Sequence, residues 1–245
     1  MHEPAPRVGL CVTCLVDQIL PEIGVATVRL LEQSGFEVDF PIQQTCCGQP
    51  FFNSGFRPEA IRLAKRTIEI FEAYTAVVVP SGSCTTMIRT EYPHLLKDFP
   101  PWHERAIALA DRTYELSEFL VRSDRWQGAP AANGPRVTYH DSCHMFRALG
   151  LRSQPRELLA RAGCQLAEMK ESDRCCGFGG LFSIRLSNVS NSMTDEKLSQ
   201  AMQTDADVLV TADPGCLMQM RGMVEGHDLR VEHLATVLEA ALGDS

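Results

Sequence analysis

Two stretches of this 245-residue sequence place cysteines side by side with a glycine behind them: "TCCGQPF" at 45–51 and "RCCGFGG" at 174–180. Thiolates act as nucleophiles, redox groups and soft metal ligands, and the spacing shows which use fits. Thirty-one residues separate Cys14 from Cys46, and 31 separate Cys143 from Cys175. A cysteine in a glycine-bearing turn closes each set, Cys84 after 36 further residues and Cys216 after 39. Each half therefore offers four thiols: Cys14, Cys46, Cys47 and Cys84, then Cys143, Cys175, Cys176 and Cys216. Cys11, separated from Cys46 by 34 residues, falls outside the pattern and reads as core. Cys164, in the place Phe36 takes in the first half, reads the same way.

Four thiols per half suit a zinc ion, an iron–sulfur cluster or no metal. A vicinal disulfide is disfavoured, because neighbouring Cα atoms lie about 3.8 Å apart and a relaxed disulfide spans roughly 4.4–6.8 Å. Structural zinc sites usually separate their cysteines by two to four residues, so that both sulfurs turn toward one ion. A polynuclear cluster accommodates adjacent thiolates better, since each can take a different iron. Glycine behind the pair permits close backbone approach, and the amides of "GFGG" could donate to cluster sulfurs.

The elements needed to hold these thiols are legible as alternating strands and helices. "RVGLCVT" (7–13), "FEVDF" (36–40) and "AVVVP" (76–80) read as strands of the first half. Helices with apolar faces run between them, one through Ile19, Ile23, Ala26, Leu30 and Leu31, the next from Pro58 through Phe71. The second half repeats this with strands at 136–140, 164–169, 206–212 and "LRVEHL", helices at 153–162 and 187–203, and a last amphipathic helix carrying Leu234, Val237, Leu238, Ala241 and Leu242. The expectation is an α/β protein of two pseudo-twofold-related halves with parallel sheets, cysteine sites at the strands' C-terminal ends. Residues 1–122 and 137–245 form the two domains, with 123–136 a linker rich in Gly, Pro, Ala and Asn.

Composition narrows the function classes. A net charge of −8 argues against a nucleic-acid partner. No apolar run approaches the roughly 20 residues of a membrane helix. The polar start "MHEPAPR" carries no signal-peptide pattern, so the ten cysteines read as metal or redox groups of a cytoplasmic protein, docked at the membrane only through partners. No dinucleotide fingerprint or phosphate loop is present, which argues against a lone hydride-transferring dehydrogenase.

At the paired cysteines the sequence resembles the CCG, or cysteine-rich-domain, family of iron–sulfur oxidoreductase subunits, in two copies over nearly the whole chain. "VTCLVD" (12–17), "CCGQPFFNSG" (46–55), "PSGSCTTM" (80–87) and "CCGFGGLFS" (175–183) resemble its lactate-utilization branch. The resemblance implies [4Fe–4S] clusters, one or two, on the eight cysteines, zinc in a cluster-free preparation, and electron transfer in oxidation of a small 2-hydroxy acid, L-lactate, to pyruvate. It also implies companion subunits, including another iron–sulfur protein. Heterodisulfide-reductase members end their motif in CxxC; here those positions are Met87 and Gln219, so disulfide chemistry stands as an alternative, beside a zinc-stabilised binding module. His140 and His144, flanking Cys143, are candidates for proton supply or pairing with cluster charge, with a loop-orienting role equally open. Arg147 is a candidate for offsetting cluster charge or binding a carboxylate, with an exposed helix arginine as the default reading. Arg185 reads as an exposed helix residue and Asp17 as a helix cap.

Overall fold

Short apolar runs form the middle of each sheet. In the first unit the chain order is β1 (Arg7–Leu10), α1 (Cys14–Gln18), α2 (Pro21–Gln33), β2 (Glu37–Asp39), α3 (Gln49–Asn53), α4 (Arg57–Phe71), β3 (Val77–Val79), α5 (Gly82–Thr86), a π-helical turn Met87–Glu91, α6 (Tyr92–Leu95), α7 (Pro100–Ala110), β4 (Thr113–Glu115) and α8 (Leu116–Ser123). The second unit follows with β5 (Arg136–His140), a π-helical turn His144–Ala148, α9 (Ser153–Arg161), β6 (Gln165–Leu166), α10 (Leu181–Arg185), α11 (Ser187–Met202), β7 (Val208–Thr211), α12 (Pro214–Arg221), β8 (Arg230–His233) and α13 (Leu234–Ala240). This computed structural model describes residues 5–128, 134–226 and 228–242. The chain divides between Trp126 and Gln127, inside the 123–136 stretch, of which residues 129–133 lie outside the described residues.

Each unit holds a four-stranded sheet with the same topology, β2-β1-β3-β4 and β6-β5-β7-β8, and every pairing is parallel. The α/β reading with two repeated halves is therefore correct. Val77, Val78 and Val79 of β3 are fully buried, as are Leu209 and Val210 of β7, which is why those strands read as continuous apolar runs. Pro21 begins α2, where its missing N–H costs nothing, and the helix buries Ile23, Ala26, Leu30 and Leu31. In each sheet the chain leaves the inner strands toward opposite edges, so a crevice opens at the C-terminal ends of β1 and β3, and of β5 and β7. Open α/β sheets bind their ligands at such switch points.

Several elements depart from the sequence reading. Ile19 lies ahead of α2 and is exposed. The strand expected over 164–169 shrinks to Gln165–Leu166. Asp17 sits within the first turn of α1, whose cap position is Thr13, so it favours the helix dipole instead of capping. Strand β4 had no counterpart in the reading.

β4 ends in an ionisable group under strain. Glu115 is wholly buried and caps α8 by accepting from the Ser117 N–H at 2.7 Å and from the Ser117 hydroxyl. Its other carboxylate oxygen has no hydrogen-bond partner. Burial raises its pKa from 4.5 to about 7. The folded state thus holds a proton the unfolded chain has released between those values, so the stabilisation is complete below about 4.5 and is lost as pH rises through 7. Glu115→Gln is expected to shrink the stability difference between pH 5 and pH 8 by about 2–3 kcal/mol. Urea unfolding followed by tryptophan fluorescence checks it, since Trp102 and Trp126 both belong to this unit; an unchanged difference refutes it.

Candidate metal centres

The thiols of the first unit come from three successive turns. Cys14 opens α1 directly after β1, Cys46 and Cys47 lie in the loop after β2, and Cys84 sits in α5 after β3. The chain enters α1 through Thr13 at φ 76°, a conformation uncommon for a residue with a branched Cβ. Ser81 starts α5, its hydroxyl accepting from the Cys84 N–H at 3.3 Å. Gly48 takes φ +89° behind the cysteine pair and its N–H points to Cys46 Sγ at 3.4 Å. Tyr92 donates its hydroxyl to the Cys47 carbonyl at 2.7 Å, tying the cysteine loop to the turn after α5.

The four sulfurs form a contact series. Cys14 hydrogen-bonds Cys46, Cys46 meets Cys47, and Cys47 Sγ lies 3.3 Å from Cys84 Sγ. Cys46 is held well below the ordinary thiol range, because Cys14, Cys47 and the Gly48 amide all donate to it. Cys14 and Cys47 are pushed up by giving those bonds and by burial. One thiolate is ready in the set, and a metal ion would displace the remaining protons.

The second unit builds the same series from Cys143, Cys175, Cys176 and Cys216. Cys143 follows β5 and leads into the π-helical turn, Cys175 and Cys176 precede α10, and Cys216 lies in α12 after β7. Cys175 is the lowered thiol, accepting from Cys143, Cys176 and the Gly177 amide at 3.4 Å. Helix α11 holds the loop, with Thr194 donating to the Cys176 carbonyl and Ser190 to the Gly177 carbonyl, both at 2.8 Å. Gln219 donates to both of those hydroxyls at 3.1 and 3.0 Å. The position where related motifs carry a fifth cysteine thus braces the loop here, and its first-half equivalent, Met87, is fully buried in apolar packing.

The other candidates separate. His140 ends β5 fully buried, and one of its ring nitrogens, Cys176 Sγ and Cys216 Sγ bring three donor atoms within 4.8 Å of one another. His144 stays close to the thiols, Nδ1 lying 3.7 Å from Cys143 Sγ. Arg147 is exposed and donates to the Asp173 carbonyl at 3.3 Å, and Arg185 is exposed. Cys164 is half-buried, shifted by burial alone with no thiol acting on it. Cys11 is buried at 3% exposure among the same apolar residues as Cys47 and Cys84, and burial, with Cys84 and Cys46 nearby, raises its pKa. Lys197 was missed: its ammonium is buried against the Glu171 and Ser172 carbonyls at 2.6 and 3.3 Å.

A family model described as a cysteine-rich domain (CCG) matches residues 8–89 and 137–221, one copy around each thiol set. The chain belongs to the cysteine-rich domain (CCG) family. This CCG chain is 47% identical over 237 residues to lactate utilization protein A of Bacillus subtilis, covering 96% of the chain and 99% of that protein. It is 47% identical over 235 residues to lactate utilization protein A of Halalkalibacterium halodurans, covering 95% and 96%. Among solved structures, a hypothetical protein from Helicobacter pylori superposes with a TM-score of 0.73 at 9% identity over 99% of this CCG chain and 50% of the other. The chain spans half the length of that protein, and the likeness is one of fold. No helix among the described residues is long and apolar enough to cross a membrane.

Proposed function

We propose that this chain is an iron–sulfur electron-transfer subunit of L-lactate oxidation, holding [4Fe–4S] clusters on Cys14, Cys46, Cys47 and Cys84 and on Cys143, Cys175, Cys176 and Cys216. The observation that carries the reading is the contact series of four thiols from three turns, built twice. Relatives at 47% identity over nearly their whole length carry the name lactate utilization protein A.

The donor set fits the group. Cys47 and Cys84, Cys176 and Cys216 are buried, whereas Cys14, Cys46, Cys143 and Cys175 are partly exposed, so each set runs from the interior to the surface. Bound clusters accept and release electrons singly. The chain's own part is to exclude water from the inner sulfurs and to fix the cysteine loop through the Tyr92 and Thr194 hydrogen bonds. The Gly48 and Gly177 amides meet the outer sulfurs, where such bonds tune a potential. Exposed apolar side chains stand just beyond each cysteine pair, Phe51 and Phe56 in the first unit and Leu181, Ile184 and Leu186 in the second, which supports docking of companion subunits at those loops.

Purification without oxygen, with iron, acid-labile sulfide and zinc measured on the same sample, tests the reading. About eight irons and eight sulfides per chain are expected from two four-iron clusters. Stoichiometric zinc with little iron, persisting after cluster reconstitution, would replace it with a zinc-stabilised binding module.

A further inference from the structure

The repeat defines one more shared position, which the four-thiol pattern leaves out. A step of 129 residues takes Cys14, Cys46 and Cys47 to Cys143, Cys175 and Cys176; the same step takes Cys11 to His140. The strand register agrees. Leu10 pairs with Val78 and Tyr139 with Val210, so Cys11 and His140 each come one residue later, at the C-terminal end of an inner strand. Both are buried, at 3% and 0% exposure. A thiol in one half therefore stands where an imidazole stands in the other.

The imidazole has the surroundings of a ligand. One of its ring nitrogens, Cys176 Sγ and Cys216 Sγ form, among the described residues, the one trio of His, Cys, Asp or Glu donors all within 4.8 Å of one another. Neither ring nitrogen makes a hydrogen bond of good geometry, and the Ser172 carbonyl is the backbone acceptor that acts on the ring. The nearby Ser172 carbonyl already accepts from the Asp141 N–H at 2.9 Å and from Lys197 at 3.3 Å. A fully buried histidine with so little hydrogen bonding is rare, and a metal ion would complete it.

We propose that His140 is a metal ligand of the second centre, alongside Cys176 and Cys216 and in place of one of the two outer thiolates, Cys143 or Cys175, so that the two centres differ in kind: four thiolates in the first, three thiolates and an imidazole in the second. This rests on the cluster reading above and deepens it. Neutral imidazole in place of anionic thiolate raises an iron–sulfur potential, which puts the second centre above the first. Charges nearby largely cancel and leave the ligand as the main difference. The buried positions of α4 and α11 keep the same spacing, which sets Lys197 opposite Thr67. Asp213 caps α12 where Ser81 caps α5. Asp141 is paired by Arg156 through two contacts of 2.8 Å.

The test uses the full chain reconstituted anaerobically with iron and sulfide after growth on histidine labelled with heavy nitrogen. Pulsed electron paramagnetic resonance of the reduced protein is expected to show histidine nitrogen coupled to one cluster signal. That coupling should vanish in His140→Ala and His140→Cys and persist in Cys11→Ala. In a redox titration His140→Cys should lower the higher of the two potentials. The coupling in the parent chain requires no variant, so a poorly folding substitution cannot mask it. Full iron and sulfide with no histidine nitrogen coupling, and with potentials unmoved in His140→Cys, would overturn the ligand and leave the clusters standing. A parent chain that takes up no iron would overturn both.

Discussion

Cys46→Ser is expected to remove about half of the iron, roughly four of eight atoms per chain, and Cys46→Ser with Cys176→Ser nearly all of it. Cys46 accepts from Cys14, Cys47 and the Gly48 amide, a pocket of donors arranged around a soft anion. A serine hydroxyl stays protonated there and is a poor ligand for iron. Cys176 is 2% exposed, so its loss removes an interior anchor that no water can replace. Cys164→Ser is the control, because no thiol acts on that residue, and it should keep full iron. Anaerobic iron and sulfide analysis reads the result, with growth on lactate of a strain dependent on this chain as the second readout. Full iron or full growth in the double variant would end the proposal that these cysteines hold clusters.

Gly177→Ala should destabilise the second unit far more than Gly48→Ala destabilises the first. Both glycines follow a cysteine pair at positive φ, +91° and +89°, where a side chain costs roughly 1–2 kcal/mol. Their surroundings differ. A Cβ at Gly177 would lie 2.4 Å from the Ser190 carbonyl oxygen, whereas one at Gly48 meets Leu63 Cβ at 3.2 Å. Helix α11 is anchored to this loop by Ser190 and Thr194, so it cannot withdraw without breaking the bonds that hold the Cys176 and Gly177 carbonyls. Overpacking of this kind adds about 1–3 kcal/mol, for a total of roughly 2–5 kcal/mol at Gly177 and 1–2 kcal/mol at Gly48. Hydrogen exchange of the β5 and β7 amides against those of β1 and β3 measures the two losses separately; equal losses would contradict the contact argument.

Strands and helices with a clear apolar period were legible in the sequence. Residues 136–140 read as β5 and are β5, and α2 buries the face its periodicity presents. Spacing alone paired Cys14 with Cys46 and Cys143 with Cys175, because duplicated loops keep their lengths. β4 escaped because "TYE" is three residues long and its buried glutamate reads as polar surface. The inner face of α11 escaped for a related reason, since three of its buried residues are Ser190, Thr194 and Lys197, polar groups that serve the cysteine loop instead of a core. Cys11 reads as core in the sequence because its spacing to Cys46 falls outside the 31-residue repeat. The burial that gives Cys11 and His140 their place comes from strand pairing between residues about 70 apart, such as Tyr139 with Val210, and no local pattern carries it.

Each thiol set spans three turns that the backbone joins only through long excursions, 31 residues and then 36 in the first unit, 31 and then 39 in the second. A centre bound there would be a staple across the open end of the sheet, closing two loops at once. Cross-links over loops of that length typically restrict the unfolded chain by several kcal/mol, and metal affinity becomes folding free energy. Oxidative loss of the metal would then do more than silence the chain. It would loosen the end of the sheet where the cysteine loops meet and mark the damaged molecule for proteolysis.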